Sequence, residues 1–97
     1  MTVTAILIRA QDHVATLTGP VAAGETVLIA GQGKSREVVA LSAMPAGHKL
    51  AVRPIREEEQ ILKYGEVIGE ATEAIAEGGH VHTHNCWGIK ARRHTRG

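Results

Sequence analysis

The sequence predicts a small, mostly β fold of short, bent antiparallel strands with at most one or two helical turns. Three observations predict it. Short runs rich in Val, Ile, Leu and Thr recur along the chain, and turn residues interrupt them every eight to twelve positions. One seven-residue cadence occurs four times. The apolar residues are almost all aliphatic, with no Phe and only Tyr64 and Trp87 as large aromatics.

The strands follow in order. "TVTAILIR" opens the chain as a β-branched strand, and "HVATLT" alternates until Gly19-Pro20 turns it. "TVLIA" stops at "GQGKS", and "REVVAL" follows. That loop lacks the spacing of a phosphate-binding loop and no helical pattern comes after it. "HKLAVRP", "QILKYG", "EVIGEA" and "HVHTH" complete the set. Two stretches compete as helices. Residues 54–65 place a proline and then acids where a first helical turn would have them, and "TEAIAE" could form one turn. Neither carries an apolar stripe at helical spacing.

The cadence runs through "VAAGETV" (21–27), "MPAGHKL" (44–50), "IREEEQI" (55–61) and "IAEGGHV" (75–81). Each reads as a tight corner. An apolar residue anchors the turn, glycine at the fourth position permits positive φ, and another apolar residue starts the next strand. Glu58 stands where the other copies have glycine, so the third corner is expected to keep ordinary φ/ψ or to differ in shape. "EEE" at 57–59 reads as a solvated turn.

At 97 residues the chain is one domain with a thin core. The net charge of +1 points to neither nucleic acid nor membrane. Lys90, Arg92, Arg93 and Arg96 fall in the last eight residues, and subtracting those four charges leaves −3 on the rest. The chain therefore divides into a body at 1–86 and a basic tail at 87–97, without the interleaved aromatics of a nucleic-acid surface. Cys86 is the single cysteine and fits a reducing compartment. With no apolar run of about 18 residues and no signal-like start, the expectation is a cytoplasmic protein with no membrane span. Exposed strand edges make a homodimer a further expectation.

Three groups could carry chemistry. In "HVHTHN" an extended backbone puts His80, His82 and His84 on one face, roughly 6.5–7 Å apart in succession. Two imidazoles at that spacing can share a metal ion, while the outer pair at about 13 Å is too far apart on a straight strand. The open alternatives are proton transfer and a solvated strand edge, and the spacing does not name the ion. His48 and Lys49 follow a corner glycine, and Lys63 and Tyr64 precede Gly65. Ammonium and imidazole groups at such bends suit an anionic, carboxylate-bearing substrate, and a solvated surface charge is the bland alternative for each lysine.

Taken together, "AGHKLAV", "ILKYGEVIGEA" and "GGHVHTHN" resemble the small SAF-type domain of the altronate/galactarate dehydratase family, which also occurs as a separate small subunit, including in sulfolactate sulfo-lyases. The likeness spans roughly residues 3–85. Glu58 and the tail "CWGIKARRHTRG" depart from the family pattern. The resemblance implies a β-clip fold and a hydro-lyase acting on sugar acids. It also implies a divalent metal, iron first with manganese or zinc as alternatives, and a large catalytic subunit without which this chain is inactive. On that reading His82 and His84 are metal ligands, and His48, Lys49 and Lys63 serve the catalytic site. The alternative is a non-catalytic SAF-type module that binds an acidic carbohydrate or a protein.

Overall fold

In the computed structural model, which describes residues 3–31 and 34–88, the chain is mostly β and no helix occurs among the described residues. None is long and apolar enough to cross a membrane. The two stretches weighed as helices are β corners and strands instead.

Among the described residues nine strands form two sheets: β1 (Val3–Ile6), β2 (Val14–Leu17), β3 (Thr26–Gly31), β4 (Lys34–Val39), β5 (Lys49–Ala51), β6 (Gln60–Lys63), β7 (Glu66–Ala71), β8 (His80–Val81) and β9 (Cys86–Gly88). The larger sheet has the order β4-β3-β1-β2-β5-β8 and the smaller one β6-β7-β9. Pairing is antiparallel except between β1 and β3, which run parallel. β2 occupies one side of β1, so the chain leaving β2 crosses to the other side of β1 to form β3.

Each corner is a type II-like turn in which the third residue takes positive φ and the fourth donates its N–H back to the first. The closing bonds are Glu25 to Ala22 at 3.1 Å, His48 to Pro45 at 3.4 Å, Glu59 to Arg56 at 3.0 Å and Gly79 to Ala76 at 2.9 Å. Each corner also clasps one buried residue on another segment, bonding both its carbonyl and its N–H. Ala40, Leu17, Ala71 and Ala51 are the clasped residues of the first to fourth corners. The corners then pair through bridges, Val21 with Met44 and Ile55 with Ile75.

The third corner corrects the expectation for Glu58. Its φ is 71°, beside 85° at Gly24, 83° at Gly47 and 87° at Gly78. The Glu58 N–H bonds the Ala71 carbonyl at 2.8 Å, as the equivalent glycines do in their corners. The surrounding hydrogen bonds therefore hold a non-glycine residue in the left-handed region, at a cost of roughly 1–2 kcal/mol.

The first and third corners carry an extra lock. Glu25 accepts the Ala22 N–H at 2.7 Å and Glu59 accepts the Arg56 N–H at 2.8 Å. In the second corner the corresponding residue is Pro45, which has no N–H to satisfy, and the position taken by those glutamates holds His48.

The core divides into two aliphatic clusters. One gathers Ala5, Leu17, Val27, Ile29, Val38 and Leu50 among others, and the second gathers Val14, Ala51, Ile55, Ile61, Ala71, Ile75 and Val81. β2 and β5 lie between them. Ala15 and Leu50 are paired and serve the first cluster, whereas Val14 and Ala51 are paired and serve the second. Alternation along a strand thus feeds two cores from one central pair. Tyr64 and Trp87 stay exposed, so no aromatic ring fills either core.

A buried polar dipeptide ties β6 to this frame. Asp12 is 1% exposed, and its carboxylate accepts the N–H groups of Arg9 (3.1 Å), Tyr64 (2.8 Å) and Gly65 (2.8 Å). His13 accepts the Leu62 N–H at Nδ1, so its Nε2 carries the proton and donates to Glu59 at 2.9 Å. Tyr64 and Gly65, with φ of 57° and 75°, make the two-residue turn between β6 and β7. The division expected between residues 86 and 87 falls inside β9, and residues 89–97 of the basic tail lie outside the described ones.

Candidate functional site

The site forms where β5, β6, β8 and β9 approach one another. Gly47 completes the second corner and delivers His48 and Lys49 at the start of β5. β8 pairs antiparallel with β5, with Lys49 opposite Val81 and Leu50 opposite His80. That register brings His80 to His48: His48 Nδ1 and His80 Nε2 are 2.8 Å apart.

The extended run expected for residues 80–84 stops at Val81. Residues 82–85 form a turn in which the Asn85 N–H bonds the His82 carbonyl at 3.1 Å. The turn carries His82 back over His48, with ring centroids 4.6 Å apart, and leaves it 5.3 Å from His80. His48, His80 and His82 each offer one ring nitrogen, and the three atoms lie within 4.8 Å of one another. Three imidazoles gathered this closely fit a divalent transition metal, leaving further coordination positions for other ligands. These three histidines could hold a metal.

The structure regroups the histidines singled out in the sequence. His82 joins the trio, while His84 packs against His80 with a centroid separation of 5.4 Å and lies outside it. His48, grouped from the sequence with the lysines, is a member. His80, the one of the three clustered histidines not taken as a ligand, is a member too. The signal for His48 was its place in a corner whose β5 strand pairs with β8, which needs topology as well as spacing.

A cleft of about 310 Å³ opens beside the trio, lined by Lys49, Lys63, Ile68, His82, Thr83, Cys86 and Gly88. It lies at the small end of the range for ligand pockets. Among the described residues no carboxylate lines it, and both lysines do, so its field favours anions. Lys63 also sits over the Tyr64 ring, its Nζ 4.8 Å from the centroid. Gly69 lets β9 cross β7 closely, since a Cβ there would come within 2.3 Å of the Trp87 carbonyl oxygen and 2.8 Å of Cys86 Sγ.

The electrostatics favour neutral imidazoles. His80 has its pKa lowered below the ordinary value, first by partial burial and then by the neighbouring His48, His82, His84 and Lys49. His82 is shifted the same way, again first by desolvation and then by His48, Lys49 and His84. The neutral ring is the form that ligates a metal. Burial pushes the Cys86 thiol up, with Lys49 and a hydrogen bond to the Glu70 backbone opposing, which favours the protonated thiol at neutral pH.

Comparison with known proteins agrees with this architecture. The family model of the altronate/galactarate dehydratase SAF domain matches residues 3–88. The chain is similar to (2R)-sulfolactate sulfo-lyase subunit alpha of Chromohalobacter salexigens, 39% identical over 62 residues that make up 64% of this chain and 63% of that protein. A second subunit alpha, from Paracoccus pantotrophus, is 41% identical over 49 residues, half of this chain and 73% of that protein. Altronate dehydratase of Bacillus subtilis is 38% identical over 80 residues, 82% of this chain and 15% of that enzyme. The chain thus spans less than two thirds of the Chromohalobacter subunit and a small part of the dehydratase. The word "subunit" in the sulfo-lyase names denotes one component of a multi-subunit enzyme.

Proposed function

The chain belongs to the family of altronate/galactarate dehydratase SAF domains, and on that premise we propose that it is the small subunit, or the N-terminal domain, of a lyase that removes water from a sugar acid. One observation carries the reading: the His48, His80 and His82 trio adjoins a cleft lined by Lys49 and Lys63 and, among the described residues, by no carboxylate.

Elimination from a hydroxy acid needs three things. The negative charge that develops on the carboxylate as the α-proton leaves must be stabilised, a base must take that proton, and an acid must protonate the departing hydroxyl. Lys49 and Lys63 are placed to hold the carboxylate and offset its growing charge. His82, exposed at the cleft, and His84 nearby are the groups able to hold or move a proton when not ligating. A divalent cation held by His48, His80 and His82, with Fe²⁺ ahead of Mn²⁺ or Zn²⁺, would supply Lewis-acid polarisation of the substrate oxygens. The remaining acid–base groups come from a larger partner, since the described residues of the cleft include no carboxylate. The chain alone is therefore inactive. It works in the cytoplasm, where its single thiol stays reduced.

The test is reconstitution. The chain is mixed with a purified large subunit of this family, and loss of water from hexonates and hexarates and release of sulfite from sulfolactate are measured. Stimulation by the wild-type chain, lost in Lys49→Ala and His80→Ala, is the expected result. Equal stimulation by those variants would leave a non-catalytic binding module in its place.

A further inference from the structure

We propose that Asn85 is the positioning residue that sets the spacing of the histidine trio. The inference rests on the reading of that trio as a ligand set, but its geometric core does not. Asn85 is 4% exposed and makes four hydrogen bonds. Its Oδ1 accepts the His82 N–H at 2.9 Å, and its Nδ2 donates to the His80 carbonyl at 2.7 Å. Its backbone N–H donates to the His82 carbonyl at 3.1 Å, and its carbonyl accepts the Thr72 N–H at 2.9 Å. One side chain thus grips the backbone of both histidines that the loop contributes to the trio, and Thr72 anchors it to the end of β7.

The chemistry at position 85 is narrow. The side chain must accept from one backbone group and donate to another across a single planar centre. The two backbone partners also fix the orientation of the carboxamide, since one is a donor and the other an acceptor. Aspartate keeps the size but cannot donate when ionised, and would set an oxygen against the His80 carbonyl. Alanine removes both bonds. Glutamine has the chemistry on a longer arm. The side-chain grip acts together with the backbone bond from Asn85 to the His82 carbonyl to turn residues 82–85 off an extended path, on which successive histidines stand roughly 6.5–7 Å apart at Cα. The 4.6 Å approach of the His82 ring to His48 is the product of the turn that Asn85 closes.

The experiment has two independent readouts on the full chain. The first needs no metal. Wild-type protein is expected to show NOEs between the ring protons of His48 and His82, and one Asn85 carboxamide proton protected from exchange. In Asn85→Asp the ring NOEs vanish while the core methyl spectrum is retained. The second is Co²⁺ affinity followed by its visible absorption. Asn85→Asp is expected to weaken binding about 10–100-fold, the scale for losing a partner that orients a ligand. Val27→Ala, in the distant aliphatic cluster, lowers stability and leaves both readouts alone. Ring NOEs that persist in Asn85→Asp overturn the inference, as does rapid exchange of both carboxamide protons in the wild type, which stands even if the variant does not fold. A wild-type chain that keeps its ring NOEs and ignores Co²⁺ overturns the metal reading instead.

Discussion

His48 Nδ1 and His80 Nε2 face each other at 2.8 Å although 32 residues separate them in the chain. At that distance one nitrogen donates and the other accepts. Two nitrogens bound to one tetrahedral ion at 2.0–2.1 Å stand roughly 3.3 Å apart. A small opening of the pair, with the shared proton moved to the far nitrogen of its own ring, turns a hydrogen bond into a chelate. The hydrogen bond holds both rings nearly where ligation would need them.

The first prediction separates the trio from its neighbour. His48→Ala, His80→Ala and His82→Ala are each expected to weaken Zn²⁺ binding by more than the 10–100-fold typical of an outer partner, and His84→Ala by about threefold or less. Competition against a chromophoric chelator measures it. Four equal losses, or none, would dissolve the trio. Because the pKa values of His80 and His82 lie below the ordinary 6.5, bound metal is expected to be held on acidification to a lower pH than unperturbed imidazoles would allow.

Acid sensitivity should arise partly at Glu59. Its pKa is lowered from 4.5, first by the Arg56 N–H and next by the hydrogen bond from His13. A lowered carboxyl binds fewer protons folded than unfolded. Its contribution is therefore complete above about 4.5 and lost as pH falls through the lower folded value. Urea midpoints taken from pH 6 to pH 3 should decline more steeply for the wild type than for Glu59→Gln. Parallel curves would remove Glu59 from the account.

The corners make a graded series. Gly47→Ala meets no atom within 4 Å, so only its φ of 83° opposes it, at roughly 1–2 kcal/mol. Gly78→Ala would place a Cβ 2.0 Å from the Val39 carbonyl oxygen and should cost distinctly more. Glu58→Gly relieves left-handed strain but loosens the unfolded chain, leaving a net gain of about 0.5 kcal/mol. Denaturant unfolding of the three variants should reproduce that order, and a destabilised Glu58→Gly would show that its side chain contributes more than its backbone costs.

Asp12→Ala leaves three backbone N–H groups without their acceptor and is expected to cost about 3 kcal/mol or more. The turn at Tyr64 and Gly65 depends on that carboxylate, so Lys63 should lose its place over Tyr64. Hydrogen exchange at residues 62–65 should rise ahead of the rest of the molecule. Uniform exchange would indicate a general loss of stability instead.

Much of this fold was legible because its signals are local. The four-fold cadence marked every corner, and the aliphatic runs marked the strands except β9, whose Cys86–Gly88 fell at the start of the expected tail. Glu58 was misjudged because its conformation is imposed by Ala71, a partner the local sequence does not announce. The site was half legible. Lys49, Lys63 and His82 do line one cleft, as bends on separate strands suggested. The grouping of His48 with His80 came from the pairing of β5 with β8, and the return of His82 came from a buried asparagine that reads, in sequence, as the end of a strand. Asp12 and His13 gave no sign of burial, since polar residues beside a turn ordinarily face water.

The proline in the second corner has a consequence for redesign. In the first and third corners, which start with a residue bearing an N–H, a glutamate three positions later closes the turn, Ala22 with Glu25 and Arg56 with Glu59. Pro45 cancels that obligation and releases position 48 for chemistry. The same exchange could be written into the first or third corner, installing a new reactive side chain on a scaffold that already tolerates it.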